Sequence, residues 1–141
     1  MIIVDTNVAS ELMADDPNLQ VIAWLDRIDP EELWLTAITV FEIRGGIDAK
    51  PKGRRKRALL AAFDQLLLND FQNRVLSFDM SAALHAARID VDRQNRGRPV
   101  GFADTQIAGI AASHGAAIAT RNVRHFDDLA VPIINPWDAR S

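Results

Sequence analysis

Three carboxylic acids lie at positions in the sequence from which they could converge on one site. Asp5 follows the apolar run Ile2–Val4, Glu42 lies inside a helical stretch, and Asp104 opens a late helix. Three carboxylates within a few ångström repel one another strongly unless a cation joins them. The ligands are oxygens, the chain has no cysteine, and no histidine is expected near these acids, which favours Mg²⁺ or Mn²⁺ over zinc. The set predicts a Mg²⁺ site, with Mn²⁺ as a substitute, that lowers the pKa of a bound water and stabilises charge developing on a phosphodiester.

Two of these acids have ordinary structural explanations when each is taken alone. Asp5 precedes Thr6 and Asn7, and all three residue types favour turns or helix N-caps. Asp104 lies in a first helical turn, where free N–H groups and the helix dipole favour an acid. The metal-site prediction therefore depends on the three carboxylates together.

Glu42 has a more unusual neighbourhood. Gly45 and Gly46 follow it at helical spacing, and a glycine inside a helix costs about 1 kcal/mol relative to alanine. This cost suggests that another backbone or a ligand approaches this stripe of the helix closely. The structural alternative is a half-exposed glutamate with no special role.

The elements that must position these acids alternate between strands and helices. This order predicts an α/β fold: a single three-layer α/β/α domain, residues 1–141, with a parallel central sheet of four to five strands. In such sheets, sites form beyond the carboxyl ends of the strands, near the switch in strand order. The predicted strands are Ile2–Val4, Leu33–Thr36, Val75–Phe78, Ala117–Thr120 and, at a sheet edge, Val131–Ile134. The predicted helices run from Asp16–Pro17 to about Arg27, Thr36 to Ile47, Arg54 to Leu68, Asp79 to Gly97, and Ala103 to His114, which Gly115 ends.

Composition narrows the class of protein. The chain has 141 residues, about the size of one domain, with 48% hydrophobic and 25% charged residues. It contains no apolar run near the ~20 residues that span a bilayer, and its first residues lack the positive region of a signal peptide. The absence of cysteine fits a reducing compartment. We therefore expect a cytoplasmic protein with no membrane contact.

The charge distribution is uneven. The net charge is −3, which argues against a general nucleic-acid coating protein. Six of the eight residues from Lys50 to Arg57 are basic, so the remainder of the chain has a net charge of −9. This basic stretch is either a solvated loop and helix start or a local contact for a polyanion. Its candidate contacts to the backbone of a polyanion are Arg54, Arg55, Lys56 and Arg57.

Three separated motifs resemble a known family. They are I-I-V-D-T-N-V at the start, T-A-I-T-V-F-E-I-R-G-G-I in the middle, and D-T-Q-I-A-G-I-A-A-S-H-G-A-A-I-A-T-R-N-V-R-H-F near the end. Together they resemble a PIN domain, more narrowly the VapC/FitB-type toxins of prokaryotic toxin–antitoxin pairs. The resemblance implies a metal-dependent ribonuclease with Asp5, Glu42 and Asp104 as its acidic site. It also implies an RNA substrate, a cognate antitoxin that blocks the site, a toxin homodimer, and contact with DNA only through the antitoxin.

The chain departs from the family pattern at one position. Many relatives carry a fourth acid after the last core strand, where this chain has Asn122. An asparagine oxygen can ligate a metal or orient a water as part of the catalytic set, but it brings no charge. The departure weakens the argument for two tightly held metals and leaves one-metal and substrate-assisted second-metal models open. Thr6, Asn7 and Thr120 are candidates for hydrogen bonds to the ligands, with turn or cap chemistry as the alternative.

Two other functions compete with this interpretation. A haloacid-dehalogenase-type phosphatase also has an aspartate after its first strand, but Asn7 and Ala9 replace the acid and threonine of its D-x-D-x-T motif. A non-catalytic nucleic-acid-binding module would use the basic stretch, with the acids serving only as helix caps. The three histidines show no metal-ligand spacing, and the three tryptophans are interpreted as core or interface residues (His85, His114, His125; Trp24, Trp34, Trp137).

Overall fold

A five-stranded parallel sheet forms the centre of the computed structural model, which describes residues 1–138. The strands are β1 (Ile2–Val4), β2 (Leu33–Thr36), β3 (Val75–Leu76), β4 (Ala117–Ala119) and β5 (Ile133–Ile134). Their order is β3-β2-β1-β4-β5, and every neighbouring pair is parallel. The strand order reverses at β1, which lies between β2 and β4, so the residue after β1 occupies the switch point.

Helices cover both faces of the sheet. They are α1 (Thr6–Leu12), α2 (Leu19–Asp26), α3 (Ala37–Asp48), α4 (Arg54–Asp64), α5 (Met80–Asn95) and α6 (Phe102–His114), with short helical turns at Pro30–Glu32, Gln65–Asp70 and Val123–His125. Val4 and Ala119 pack with α1 to α4 in one core, and Ile3 and Ile118 pack with α5 and α6 in the other. This alternation along the strands confirms the predicted three-layer α/β/α fold with a parallel sheet.

The tryptophans contact these two cores. Trp24 is buried in the core under α1 to α4, and Trp137 packs against the same core. Trp34 packs against the core under α5 and α6. Their interpretation as packing residues is therefore confirmed, because each indole contributes a large apolar surface to a layer interface.

The first helix was not predicted. Thr6 and Asn7 favour turns by composition, but they open α1, which is only seven residues long and buries Val8 and Ala9. Burial of this short apolar face outweighs the local turn preference. The predicted start of the next helix was also wrong, because Asn18, rather than Asp16, caps α2 by accepting hydrogen bonds from two backbone amides.

Several predicted ends shift by one to three residues. The third strand ends at Leu76 and the fourth at Ala119. The helix predicted from Arg54 to Leu68 is α-helical only to Asp64, and the π-helical turn Gln65–Asp70 follows it. Asp79 caps α5 as predicted by accepting a hydrogen bond from Ala82 N. The left-handed Gly115, with φ of 61°, ends α6 as predicted, and β5 lies at a sheet edge.

The glycines near Glu42 face open space. A Cβ added at Gly45 or Gly46 would have no protein atom within 4 Å, so the expectation that another backbone approaches them was wrong. Gly109 on α6 makes the close approach instead, since a Cβ there would lie 2.5 Å from the carbonyl oxygen of Ala82 on α5. Helix α6, which carries Asp104, therefore packs tightly against α5.

Candidate active site

Asp5 is fixed in place by the strand end on which it lies. Its backbone amide donates to the carbonyl of Ala119 at 3.0 Å, which continues the sheet by one residue. Its Oδ1 accepts the amide of Val8 at 3.1 Å and so caps α1, while its Oδ2 accepts the hydroxyl of Thr120 at 2.5 Å. The side chain is 3% exposed. Asp5 thus both caps a helix and presents a buried carboxylate at the carboxyl end of the central strand.

The surroundings of Asp5 favour its neutral form. Burial raises the pKa of this carboxyl to about 6, and the hydrogen bonds from Thr120 and the Val8 amide oppose this rise. The negative charge of Asp104 raises the same pKa further. The two carboxylates are therefore close enough to repel. A cation between them would offset both the cost of desolvating the Asp5 charge and its repulsion by Asp104.

A chain of hydroxyl groups holds Glu42. Its side chain is exposed on α3, and its Oε1 accepts the Thr6 hydroxyl at 2.6 Å. The Thr6 oxygen lies 3.0 Å from that of Thr39, whose oxygen in turn accepts the hydroxyl of Thr36 at 3.5 Å. Because Thr6 directly follows Asp5, this chain joins Glu42 to the end of the central strand.

Asp104 is the third residue of α6 and makes no cap, because Gly101 occupies the N-cap position without a side-chain bond. Its Oδ2 lies 2.6 Å from His125 Nδ1. The expectation that no histidine is near the three acids was therefore wrong. The two residues are 21 positions apart, and the chain after β4 returns His125 to the start of α6.

The carboxylate oxygens of these residues are the ligands that Mg²⁺ and similar divalent cations prefer. Asp5 and Asp104 repel each other, and Glu42 is joined to the residue after Asp5 by its hydrogen bond with Thr6. Among residues 1–138, however, no three His, Asp or Glu side chains lie close enough as they stand to hold a metal ion. A site shared by Asp5, Glu42 and Asp104 therefore stays a prediction.

The remaining predicted site residues have distinct positions. Thr120 donates to Asp5 and accepts the backbone amide of Asn122 at 2.9 Å. Asn122 occupies the N-cap position of the helical turn Val123–His125 but makes no side-chain hydrogen bond there. Asn7 has an exposed side chain, and its backbone amide faces the Asp5 carboxylate. Thr6 and Thr120 are thus the members of this group whose hydroxyls contact the predicted ligands.

Sequence reasoning missed Arg93. This side chain is 2% exposed and holds Asp128 with two hydrogen bonds, at 2.8 Å and 3.0 Å. It also donates to the Thr105 hydroxyl at 3.2 Å and to the carbonyl of His125. Arg93 therefore ties the residue after Asp104 to the segment that carries His125. The signal in the sequence is its spacing from Ala82 and Ala86, which places a charge on the buried stripe of α5.

A groove of about 420 Å³ between α1, α3 and α4 extends from Glu42 towards the basic stretch. Lys50 and Arg55 line it, together with Gly46. Arg55 also lies 3.7 Å from Asp15, and both side chains are exposed, so solvent screens this ion pair. The Lys56 ammonium donates to the carbonyls of Asp48 and Lys50 and thereby stabilises the end of α3.

Replacing Asp5 by asparagine is expected to stabilise the metal-free protein at neutral pH. The pKa of Asp5 is raised from 3.8 to about 6, so the folded state binds the proton more tightly and stability falls as pH rises between these values. Asparagine has no such cost, and it keeps an oxygen to cap α1. Denaturant unfolding in EDTA should give the variant an advantage of roughly 1–3 kcal/mol at pH 7.5 that disappears near pH 4.

The matched control is Asp79→Asn, which alters an exposed N-cap carboxylate on α5. It is not expected to raise stability at pH 7.5. An Asp5→Asn variant that is less stable than wild type at pH 7.5, or whose advantage is the same at pH 4, would contradict the argument from burial and repulsion.

Comparison with known proteins agrees with this geometry. The PIN domain family model matches residues 2–132. The chain is 39% identical to a VapC ribonuclease of Sinorhizobium fredii, covering 98% of this chain and 99% of the relative. It is 38% identical to the toxin FitB of Neisseria gonorrhoeae, covering 97% and 99%. The solved structure of FitAB bound to a DNA fragment contains a chain with a TM-score of 0.90 and 37% identity, covering 100% of this chain and 99% of that one.

The family model, the sequence relatives and the structural match thus cover nearly the whole described chain. The resemblance that the three sequence motifs indicated is confirmed by the family model and by relatives above 30% identity. The chain belongs to the PIN-domain family, together with proteins of the VapC and FitB type.

Proposed function

We propose that this protein is a divalent-metal-dependent endoribonuclease that acts as the toxin of a type II toxin–antitoxin pair, with residues 1–141 forming one nuclease domain. The observation that carries the proposal is the buried carboxylate of Asp5 at the carboxyl end of the central strand, where the negative charge of Asp104 on α6 raises its pKa further. The ribonuclease name of a 39% identical relative supports RNA as the substrate.

Asp5, Glu42 and Asp104 would hold the metal, for which Mg²⁺ suits the carboxylate oxygens and Mn²⁺ substitutes. The bound cation supplies a water of lowered pKa and charge neutralisation at the phosphodiester. Asn122 offers an uncharged oxygen beside this set. With three acids rather than four, one tightly held metal is the simplest arrangement.

The surrounding side chains orient the acids. Thr120 donates a hydrogen bond to one oxygen of Asp5, and the Val8 amide donates to the other. Thr6, the residue after Asp5, donates to the Glu42 carboxylate and so holds it near the end of the central strand. Hydrogen bonds to ligating carboxylates fix their direction, and losing such a bond typically costs about 10–100-fold in metal affinity or activity. His125 performs the corresponding role at Asp104.

A cognate antitoxin would inhibit the enzyme by covering the acids. An arginine from the antitoxin suits this role because its planar guanidinium can bridge two carboxylates. The toxin name of FitB and the FitAB complex on DNA support a partner protein that carries the DNA contact, so this chain would touch DNA only indirectly. We propose a homodimer for the toxin itself.

Removal of divalent metal is the direct test of the function. Purified protein should cleave single-stranded RNA in Mg²⁺ or Mn²⁺ and stop in excess EDTA, with recovery after Mg²⁺ is restored. The same preparation should release no phosphate from p-nitrophenyl phosphate.

Each rival function has its own outcome in this assay. Phosphomonoester turnover without RNA cleavage would indicate a phosphatase, which membership of the PIN family does not favour. RNA that is bound equally well in EDTA and never cut in Mg²⁺ would indicate a binding module. Either result would reject the proposed nuclease.

The arginines of the basic stretch should bind the RNA backbone rather than read bases. Arg54, Arg55 and Arg57 are exposed, and Arg55 lines the groove that reaches Glu42. Changing all three to serine should weaken binding in EDTA and flatten the dependence of log affinity on log salt by roughly 2, since each lost contact to single-stranded RNA removes about 0.7. The cleavage pattern should not change.

Lys56 is left unchanged in this variant because its ammonium binds carbonyls at the end of α3. The control is the double change of Arg27 and Arg88 to serine, at exposed positions on α2's end and on α5. An unchanged salt dependence in the triple variant would mean that the stretch is a solvated helix start or serves protein contacts.

A further inference from the structure

A second groove is formed by the segment that follows β4 and by the last described residues. It has a volume of about 430 Å³, and most of its lining residues are polar or charged; they include Arg121, Asn122, Arg124, His125, Asn135 and Asp138. We call it the β4 groove. None of its residues belongs to the basic stretch Lys50–Arg57.

The β4 groove adjoins Asp5 and Asp104 through residues that line it. His125 lines the groove while its Nδ1 contacts Asp104. Asn122 lines it as well, and its amide donates to Thr120, which holds Asp5. A ligand that contacts His125 would therefore be separated from Asp104 by that one side chain. A ligand that contacts Asn122 would be separated from Asp5 by Asn122 and Thr120.

Two exposed cations give the groove its charge. Arg121 stacks on Trp137, with its guanidinium carbon 4.9 Å from the ring centroid, and Arg124 is exposed on the helical turn. Within residues 1–138 neither arginine forms an ion pair. The lining carboxylate of Asp138 accepts a hydrogen bond from Asn135 at 3.2 Å. The groove therefore presents two guanidinium groups to a ligand.

A third depression, of about 350 Å³, connects the two grooves. It shares Ser10 and Ala14 of the α1 region with the groove at Glu42, and it shares Arg121 with the β4 groove. The lining residues thus form a tract from Lys50 and Arg55, along the side of α1 where Glu11 also lines it, to Arg121. An extended strand of several nucleotides could follow such a tract.

We propose that the β4 groove is a second subsite for the backbone of single-stranded RNA, in which Arg121 and Arg124 bind phosphates. The proposal rests on the proposed ribonuclease function and extends it, because the strand would be held on both sides of the acids. Guanidinium groups bind phosphate oxygens in a forked geometry, and the arginine stacked on Trp137 also offers a planar surface to an unpaired base. RNA fits better than an acidic peptide because the groove opens beside acids that suit a phosphodiester and its metal.

The test measures binding of a fluorescent single-stranded RNA to the full chain in EDTA, across a salt series. The double variant Arg121→Gln/Arg124→Gln should bind more weakly and flatten the salt dependence by roughly 1.4, as expected for two lost phosphate contacts. Arg121→Lys/Arg124→Lys should recover most of the slope. With oligonucleotides of increasing length, the wild type should keep gaining affinity after the glutamine variant has stopped.

The control is Arg27→Gln/Arg88→Gln, and circular dichroism verifies folding of each variant. A glutamine variant with the slope and length dependence of this control would overturn the proposal. Competition by polyglutamate as strong as by RNA of equal charge would overturn it too, because the groove would then be a general anion or acidic-peptide site. If the variant loses RNA binding while the wild type never cleaves in Mg²⁺, the subsite stands and the proposed nuclease function fails.

Discussion

Replacing Asp104 by asparagine is expected to reduce RNA cleavage at least about a hundredfold while the protein stays folded. The change removes one charge from a repelling pair and leaves an oxygen that can still accept a hydrogen bond from His125. Loss of a metal ligand should cost at least as much as the 10–100-fold seen when groups around a ligand are altered. The measurement is single-turnover cleavage in Mg²⁺, together with growth arrest on expression.

Asp5→Asn should lose activity to the same extent, since Asp5 contributes the buried carboxylate of the pair. The control is Asp26→Asn, an exposed acid in the last turn of α2, where no effect on cleavage is expected. An Asp5 or Asp104 variant that cleaves RNA at the wild-type rate in Mg²⁺ would remove that residue from the catalytic set.

Replacing Arg93 by methionine is expected to destabilise the fold by about 3–5 kcal/mol, because it leaves the Asp128 carboxylate without its partner. The Arg93 guanidinium holds the pKa of Asp128 below its usual value, mainly through their hydrogen bond. The same change frees the Thr105 hydroxyl and the His125 carbonyl from their shared donor. Denaturant unfolding at pH 7.5 measures the loss.

A double variant separates the effect of breaking the ion pair from the effect of replacing the Arg93 side chain by a smaller one. Arg93→Met combined with Asp128→Leu removes both charges, and it should recover part of the stability, since a buried ion pair replaced by apolar groups is often neutral. Arg88→Met, at an exposed position on the same helix, should change stability by less than about 0.5 kcal/mol. A single Arg93 variant as stable as wild type would mean that the pair contributes nothing net.

The class of fold and the candidate acids were predictable from local patterns along the chain. Short apolar runs that alternate with helical stretches are local patterns. They predict a sheet whose two faces are each buried against a layer of helices. Asp5 lies at the end of β1 because a charged residue ends the buried run Ile2–Val4. The αL glycine at Gly115 and the cap at Asp79 were also predictable, since each depends on residues within one helical turn.

The tertiary structure alone decided which side chains meet around those acids. His125 contacts Asp104 across 21 residues and Arg93 contacts Asp128 across 35, and neither pairing follows from a local period. Helix α1 forms although its first residues favour turns, because Val8 and Ala9 gain burial only against the finished sheet. The two grooves likewise exist only once α1, α3, α4 and the segment after β4 are packed in the folded chain, because a groove is a property of packed surfaces rather than of any single segment.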